Sequence, residues 1–175
     1  MEDYIRQLRA TYRCQLYYFT LFGTLSLIDC CAALNSPSGE TSGRLFKDWF
    51  NKYLPQYSST CFGSATSFSA NECYQFRCRM LHQLRAEIDA DSMDRTVKSG
   101  KIAFAIDGSR IHMCNFGGVY YLDIEIFMED VITGVERWTY DVRNVPHVEE
   151  NRHKMVKVRN YDPGHGIGGK GQYIS

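Results

Sequence analysis

Residues 16–34 hold nineteen amino acids with a single charged side chain, Asp29. A stretch of that composition persists only where most of its surface is kept from water, which a bilayer or a protein core can do. It is long enough to raise the question of a membrane span. Thr20, Gly23, Thr24, Ser26 and Asp29 interrupt it, however, and basic charge flanks it on one side only, so a buried core helix is expected, enclosed by neighbours or by a partner subunit. Ile5, Leu8, Tyr12, Leu16, Phe19 and Phe22 recur at steps of three or four. Only Gly23 disfavours helix between 3 and 35, and the spacing predicts one long helix there, kinked at that glycine.

A chain of 175 residues with 44% hydrophobic content can surround one such helix with a single core. The expected organisation is one helical domain over 1–158 and a flexible, Gly-rich, basic tail over 159–175. Asn35-Ser36-Pro37-Ser38-Gly39 is a cluster of turn residues, and Leu45, Phe46, Trp49, Phe50, Tyr53 and Leu54 predict a second helix over 43–54. Ser69-Ala70-Asn71-Glu72 is a capping box, each side chain matched to the other's free backbone N–H, and starts a helix over 70–85. Ile124, Phe127, Met128, Val131, Val135, Trp138 and Val142 predict another over 123–144, with Asp123 as its cap and Pro146 beyond its end. Val148 to Val158 could add a weak amphipathic helix. Residues 101–114, centred on Asp107-Gly108, read as a β-hairpin, and Val119 to Leu122 as a further strand.

Lys plus Arg equals Asp plus Glu at 20 each, which argues against a dedicated duplex-DNA binder. The charge is unevenly placed: eight acids against two bases over 120–150, then five bases against one acid over 151–175. Arg152, Lys154, Lys157 and Arg159 form a basic run that could follow an RNA backbone, or else face solvent along a helix. Gly164 to Lys170 imitates a phosphate loop, but Gly171 stands where a Ser or Thr is required and too little chain follows for the helix such a loop needs. Seven cysteines, several within apolar stretches, and an N-terminus without a secretory pattern point to reduced thiols and a cytoplasmic chain. Cys73 and Cys78 lack a second Cys/His pair at zinc spacing, so no metal and no cofactor is expected.

One feature of the 70–85 helix stands out. Cys73, Phe76, Met80, Leu81 and Leu84 form its apolar stripe, and Arg77 falls within it, five residues before His82. Arg77-Cys78-Arg79-Met80-Leu81-His82 resembles the motif of the HEPN superfamily, whose RNase members carry Arg, four to six residues, then His near the end of a core helix. Cys78 stands where many of those members have Asn. The resemblance implies a mainly α, HEPN-like helical bundle with a small antiparallel β-hairpin inserted. It further implies a homodimeric, metal-independent endoribonuclease of toxin or defence type, with His82 as acid and base. Arg77 or Arg79 would hold the phosphoryl oxygens, and an antitoxin or other partner protein would restrain the activity. A regular helix sets Arg77 and His82 about 140° apart and Arg79 and His82 about 60° apart, so one helix does not easily aim the Arg77 pair at one phosphate, and the resemblance implies a dimer that brings two such motifs to a shared cleft. The competing reading is structural: a buried Asp29 needs a cation, and Arg77 is the obvious mate. The protein would then be a non-catalytic scaffold that binds a partner protein or a nucleotide.

Overall fold

The computed structural model describes residues 1–57, 68–86, 101–106, 108–160 and 172–174. Six α-helices lie among them: α1 (Glu2–Arg13), α2 (Tyr17–Leu34), α3 (Gly43–Tyr53), α4 (Ala70–Gln83), α5 (Ile124–Asp141) and α6 (Pro146–His153). Strands β1 (Lys101–Ala105), β2 (Cys114–Phe116) and β3 (Val119–Asp123) make one sheet, and β4 (Val158–Asn160) with β5 (Gln172–Ile174) makes a two-stranded ladder. The chain is mainly helical with a small mixed sheet.

The expected single helix over 3–35 is two helices. Its break is not at Gly23 but at Cys14–Leu16, where Gln15 takes a left-handed φ of 58°. The Gln15 amide donates to the Tyr12 carbonyl (2.8 Å) and the Leu16 amide to the Thr11 carbonyl (2.9 Å), the two bonds of a Schellman ending. That ending usually carries glycine, which is why the sequence conceals it. Gly23 has a different purpose: α1 folds back against α2, Tyr4 donates its hydroxyl proton to the Gly23 carbonyl (2.9 Å), and a Cβ at Gly23 would stand 2.7 Å from Leu8 Cδ1.

α2 is the axis of the bundle. Leu21, Leu25, Leu27, Ile28, Cys31, Ala32 and Leu34 are buried around its circumference, against α1, α3, α5 and α6 of the same chain. By length and composition Tyr17–Leu34 could cross a membrane, and 56% of it is buried inside the protein. Its buried threonines are satisfied internally, Thr20 donating to the Leu16 carbonyl and Thr24 to that of Thr20. The loop after α2 is tied down by α6 and α5: from α6 the buried Asn151 amide donates to the carbonyls of Leu34 (3.3 Å) and Ser36 (2.9 Å), and from α5 Trp138 Nε1 donates to Asn35 Oδ1 (3.3 Å).

The sheet corrects the hairpin expected over 101–114. β1 does not pair with β2; it runs parallel to β3, Lys101 opposite Val119 through Ala105 opposite Asp123. β2 is antiparallel to β3 on the other side, Cys114 opposite Tyr121. The tight turn therefore lies at Gly117-Gly118, with φ of 60° and 79°, the pair of positive values that matches the strands' twist. Two adjacent glycines accept those values without strain; Asp107 of the expected Asp107-Gly108 turn lies outside the described residues.

α5 begins where expected, Asp123 Oδ1 accepting from the Glu125 (2.9 Å) and Ile126 (3.1 Å) amides. Pro146 opens α6 instead of merely following α5, as suits a residue with no N–H to lose in the first helical turn. α6 ends at His153, short of the 148–158 span. Beyond it β4 and β5 pair antiparallel, Val158 opposite Ile174 and Asn160 opposite Gln172. The Gly164–Gly171 segment lies outside the described residues.

Candidate functional site

The capping box that starts α4 is complete. Glu72 Oε2 accepts from the Ser69 amide (2.7 Å) and Ser69 Oγ from the Glu72 amide (3.2 Å). Phe68, buried beside the cap, stacks on Tyr120 (5.8 Å between centroids) and so anchors the helix entry to β3. α4 then lies across α3 and α2, which puts Arg77 at the α2 seam.

There Arg77 Nε donates to Asp29 Oδ2 in an ion pair. The side chains are 21% and 12% exposed, so the pair sits at the rim of the core and not at its centre. Burial raises the Asp29 carboxyl above its ordinary value, and the Arg77 charge opposes that rise. Burial also works against the guanidinium charge, but Asp29 more than offsets it and holds Arg77 protonated. Arg77 Nη1 points to Cys78 Sγ (3.8 Å). Tyr74 completes the cluster: burial and then Cys78 raise its phenol, and its ring lies against Phe46 and so near Gly43 that a Cβ there would meet it at 2.8 Å.

His82 is exposed in the last turn of α4, and Arg79 is half-buried. The helix ends immediately afterwards at Leu84, in a left-handed conformation (φ 55°) with 66% of the residue exposed. Asp29 and Arg77 are thus brought together, whereas the 140° step keeps Arg77 and His82 on different faces of one helix.

The basic run is partly absorbed by the fold. The Arg152 guanidinium stands 5.6 Å from the centre of the Trp138 ring and 3.6 Å from Glu149 Oε2. Lys154 Nζ donates to Asn151 Oδ1 (3.3 Å). Lys157 is exposed; Arg159 contributes backbone to β4 and its side chain lies outside the described part of the chain. Elsewhere, a groove of about 550 Å³ between α1 and α5 is lined by Arg6, Arg9, Arg13 and Glu136, but Arg9 is fully engaged by Glu129 through two bonds of 2.8 and 2.6 Å. Among the described residues no three His, Cys, Asp or Glu side chains converge as a metal site.

A polar cluster invisible in the sequence joins Tyr57, His112 and Asp130. These residues are 55 and 18 positions apart along the chain, and no local pattern marks them. Tyr57 Oη lies 2.8 Å from Asp130 Oδ2 and 3.2 Å from His112 Nε2. Set against profiles of known protein families, curated proteins and solved structures, the chain finds no match.

Proposed function

We propose that the chain is a HEPN-like, metal-independent endoribonuclease whose site lies on α4 and is completed by a second copy. The observation that carries this reading is the state of Arg77: a carboxylate orients it through Nε while a fifth of the side chain stays exposed, on the helix that also presents an exposed His82. An oriented, accessible guanidinium suits a phosphoryl group on which negative charge is building. In the reaction the ribose 2′-oxygen forms a bond to phosphorus as the bond to the 5′-oxygen breaks. His82 of one copy takes the 2′ proton and an imidazolium returns one to the leaving oxygen. Arg77 or Arg79 holds the non-bridging oxygens, and Lys157 with Arg159 extends contact along the backbone. DNA, lacking the 2′-hydroxyl, is spared. Such an enzyme would act in the cytoplasm as a toxin or defence effector restrained by a partner protein.

A second reading is favoured by the commitment of Arg77 to Asp29: a non-catalytic scaffold of the same family, with Arg77 structural and the α4 surface docking a protein or nucleotide. RNA cleavage in the presence of EDTA separates the two. EDTA-resistant cleavage that drops at least about a hundredfold in His82→Ala, the scale of a lost general acid or base, supports the enzyme. Activity absent from the wild type, or unchanged in His82→Ala, ends that reading and leaves the scaffold.

A further inference from the structure

The Tyr57–His112–Asp130 cluster is independent of the α4 site, and its hydrogen positions follow from donor and acceptor chemistry. His112 Nδ1 faces the Asp123 backbone amide at 3.2 Å. An amide can only donate, so Nδ1 carries no proton. The single Tyr57 hydroxyl proton is drawn to the carboxylate of Asp130 at 2.8 Å, the shorter and charge-assisted contact. The phenol oxygen is then left to accept, and His112 Nε2 must bear the hydrogen that it receives. We infer that Asp123 N–H, His112, Tyr57 and Asp130 form one directional hydrogen-bond chain that fixes His112 as the neutral Nε2–H tautomer and acts as an acid-released clasp between the 108–113 segment, the start of α5 and the Pro55–Tyr57 turn. One proton taken from solvent by Nδ1 sets N–H against N–H at Asp123 and breaks the first link.

The surroundings make the clasp consequential. The His112 side chain is 14% exposed. From α5 it faces Asp130, whose carboxylate stands 4.0 Å from Nε2, and from the end of β3 it faces Asp123, whose side chain is already bonded to two amides of α5. From the β2 side the Cys114 thiol donates to the His112 carbonyl (3.2 Å). Tyr57 is fully buried between Phe50, Phe68 and Phe127, with Cys73 of α4 and Tyr120 of β3 as its other titratable neighbours. Burial places its phenol far above the usual range, so Tyr57 keeps its proton throughout. Burial lowers the imidazole below its ordinary 6.5, against the pull of Asp130 and Asp123. Because the folded value lies below the unfolded one, the clasp contributes fully above 6.5, loses its contribution as pH falls from there to the folded value, and is flat below.

Two measurements test this. In ring ¹⁵N–¹H correlation spectra of the wild type at pH 7.5, the resonance pair missing from His112→Gln is expected to show a protonated Nε2 and a bare Nδ1. A protonated Nδ1, or an imidazolium at that pH, overturns the inference, and where the Gln variant does not fold the same spectrum is assigned through His112 backbone correlations. In urea unfolding from pH 7.5 to 5, the wild-type unfolding constant is expected to gain up to about tenfold per pH unit relative to His112→Gln below pH 6.5. Parallel curves overturn the acid-released clasp.

Discussion

Breaking the Asp29–Arg77 pair from either side should cost more than removing it altogether. In a fully buried pair, loss of one partner costs roughly 3–5 kcal/mol because a desolvated charge is left alone. Here a fifth of Arg77 is exposed and can rehydrate. A lone Asp29, already raised by burial, can escape its charge by taking a proton. We therefore expect about 2 kcal/mol from Asp29→Leu and about 2 kcal/mol from Arg77→Met. The double variant, which places apolar atoms on both sides of the α2–α4 seam, should lie within about 1 kcal/mol of the wild type, a coupling of about 3 kcal/mol. Urea denaturation of the four proteins at pH 7, with slopes checked for equality, measures the cycle. Additive singles, giving a double variant near 4 kcal/mol, would refute the reasoning and mean that each residue answers to a different partner.

Gln15→Gly should raise stability by about 1 kcal/mol, since it relieves a left-handed side chain in the Schellman ending of α1; a Tm scan checks it, and an unchanged or lower Tm contradicts the break described. Gly118→Ala should lower stability by about 1 kcal/mol or more through backbone conformation alone, because a Cβ there meets nothing within 4 Å. Ser69→Ala should cost about 1 kcal/mol and raise amide exchange first in residues 70–73, where the cap acts. Asp29 has a raised folded value, so its charge-linked contribution is complete below 3.8 and falls as pH rises through the folded value; the stability of the wild type relative to Asp29→Asn should decline over that rise, and an increase would reverse the sign assigned to burial.

What the sequence reveals is local. The α4 cap, the α5 cap and the apolar faces of α3, α4 and α5 each depend on residues within a few positions, and all are readable from spacing. A mate for Asp29 was legible for another reason: a lone acid among apolar neighbours demands a cation, and Arg77 is the cation embedded in an apolar stripe. The break at Gln15 is hidden because a left-handed glutamine leaves no trace in composition. The sheet order is hidden because Asp107-Gly108 and Gly117-Gly118 both promise tight turns, and the choice between them rests on pairing with β3. Asn151, 117 positions from the Leu34 carbonyl it holds, and His112, joined to a turn 55 positions earlier, are matters of tertiary proximity that no window of sequence contains.

The order β1-β3-β2 also dictates a timetable. Among the described strands β1 is made first, ahead of β3, the strand beside which it lies. β2 and β3 can zip together through two glycines within microseconds, whereas β1 must wait and then dock alongside from a greater loop distance. The last seat in the three-stranded sheet thus falls to the first of its strands to be made, and until β3 emerges the backbone of 101–105 is without its ladder partner.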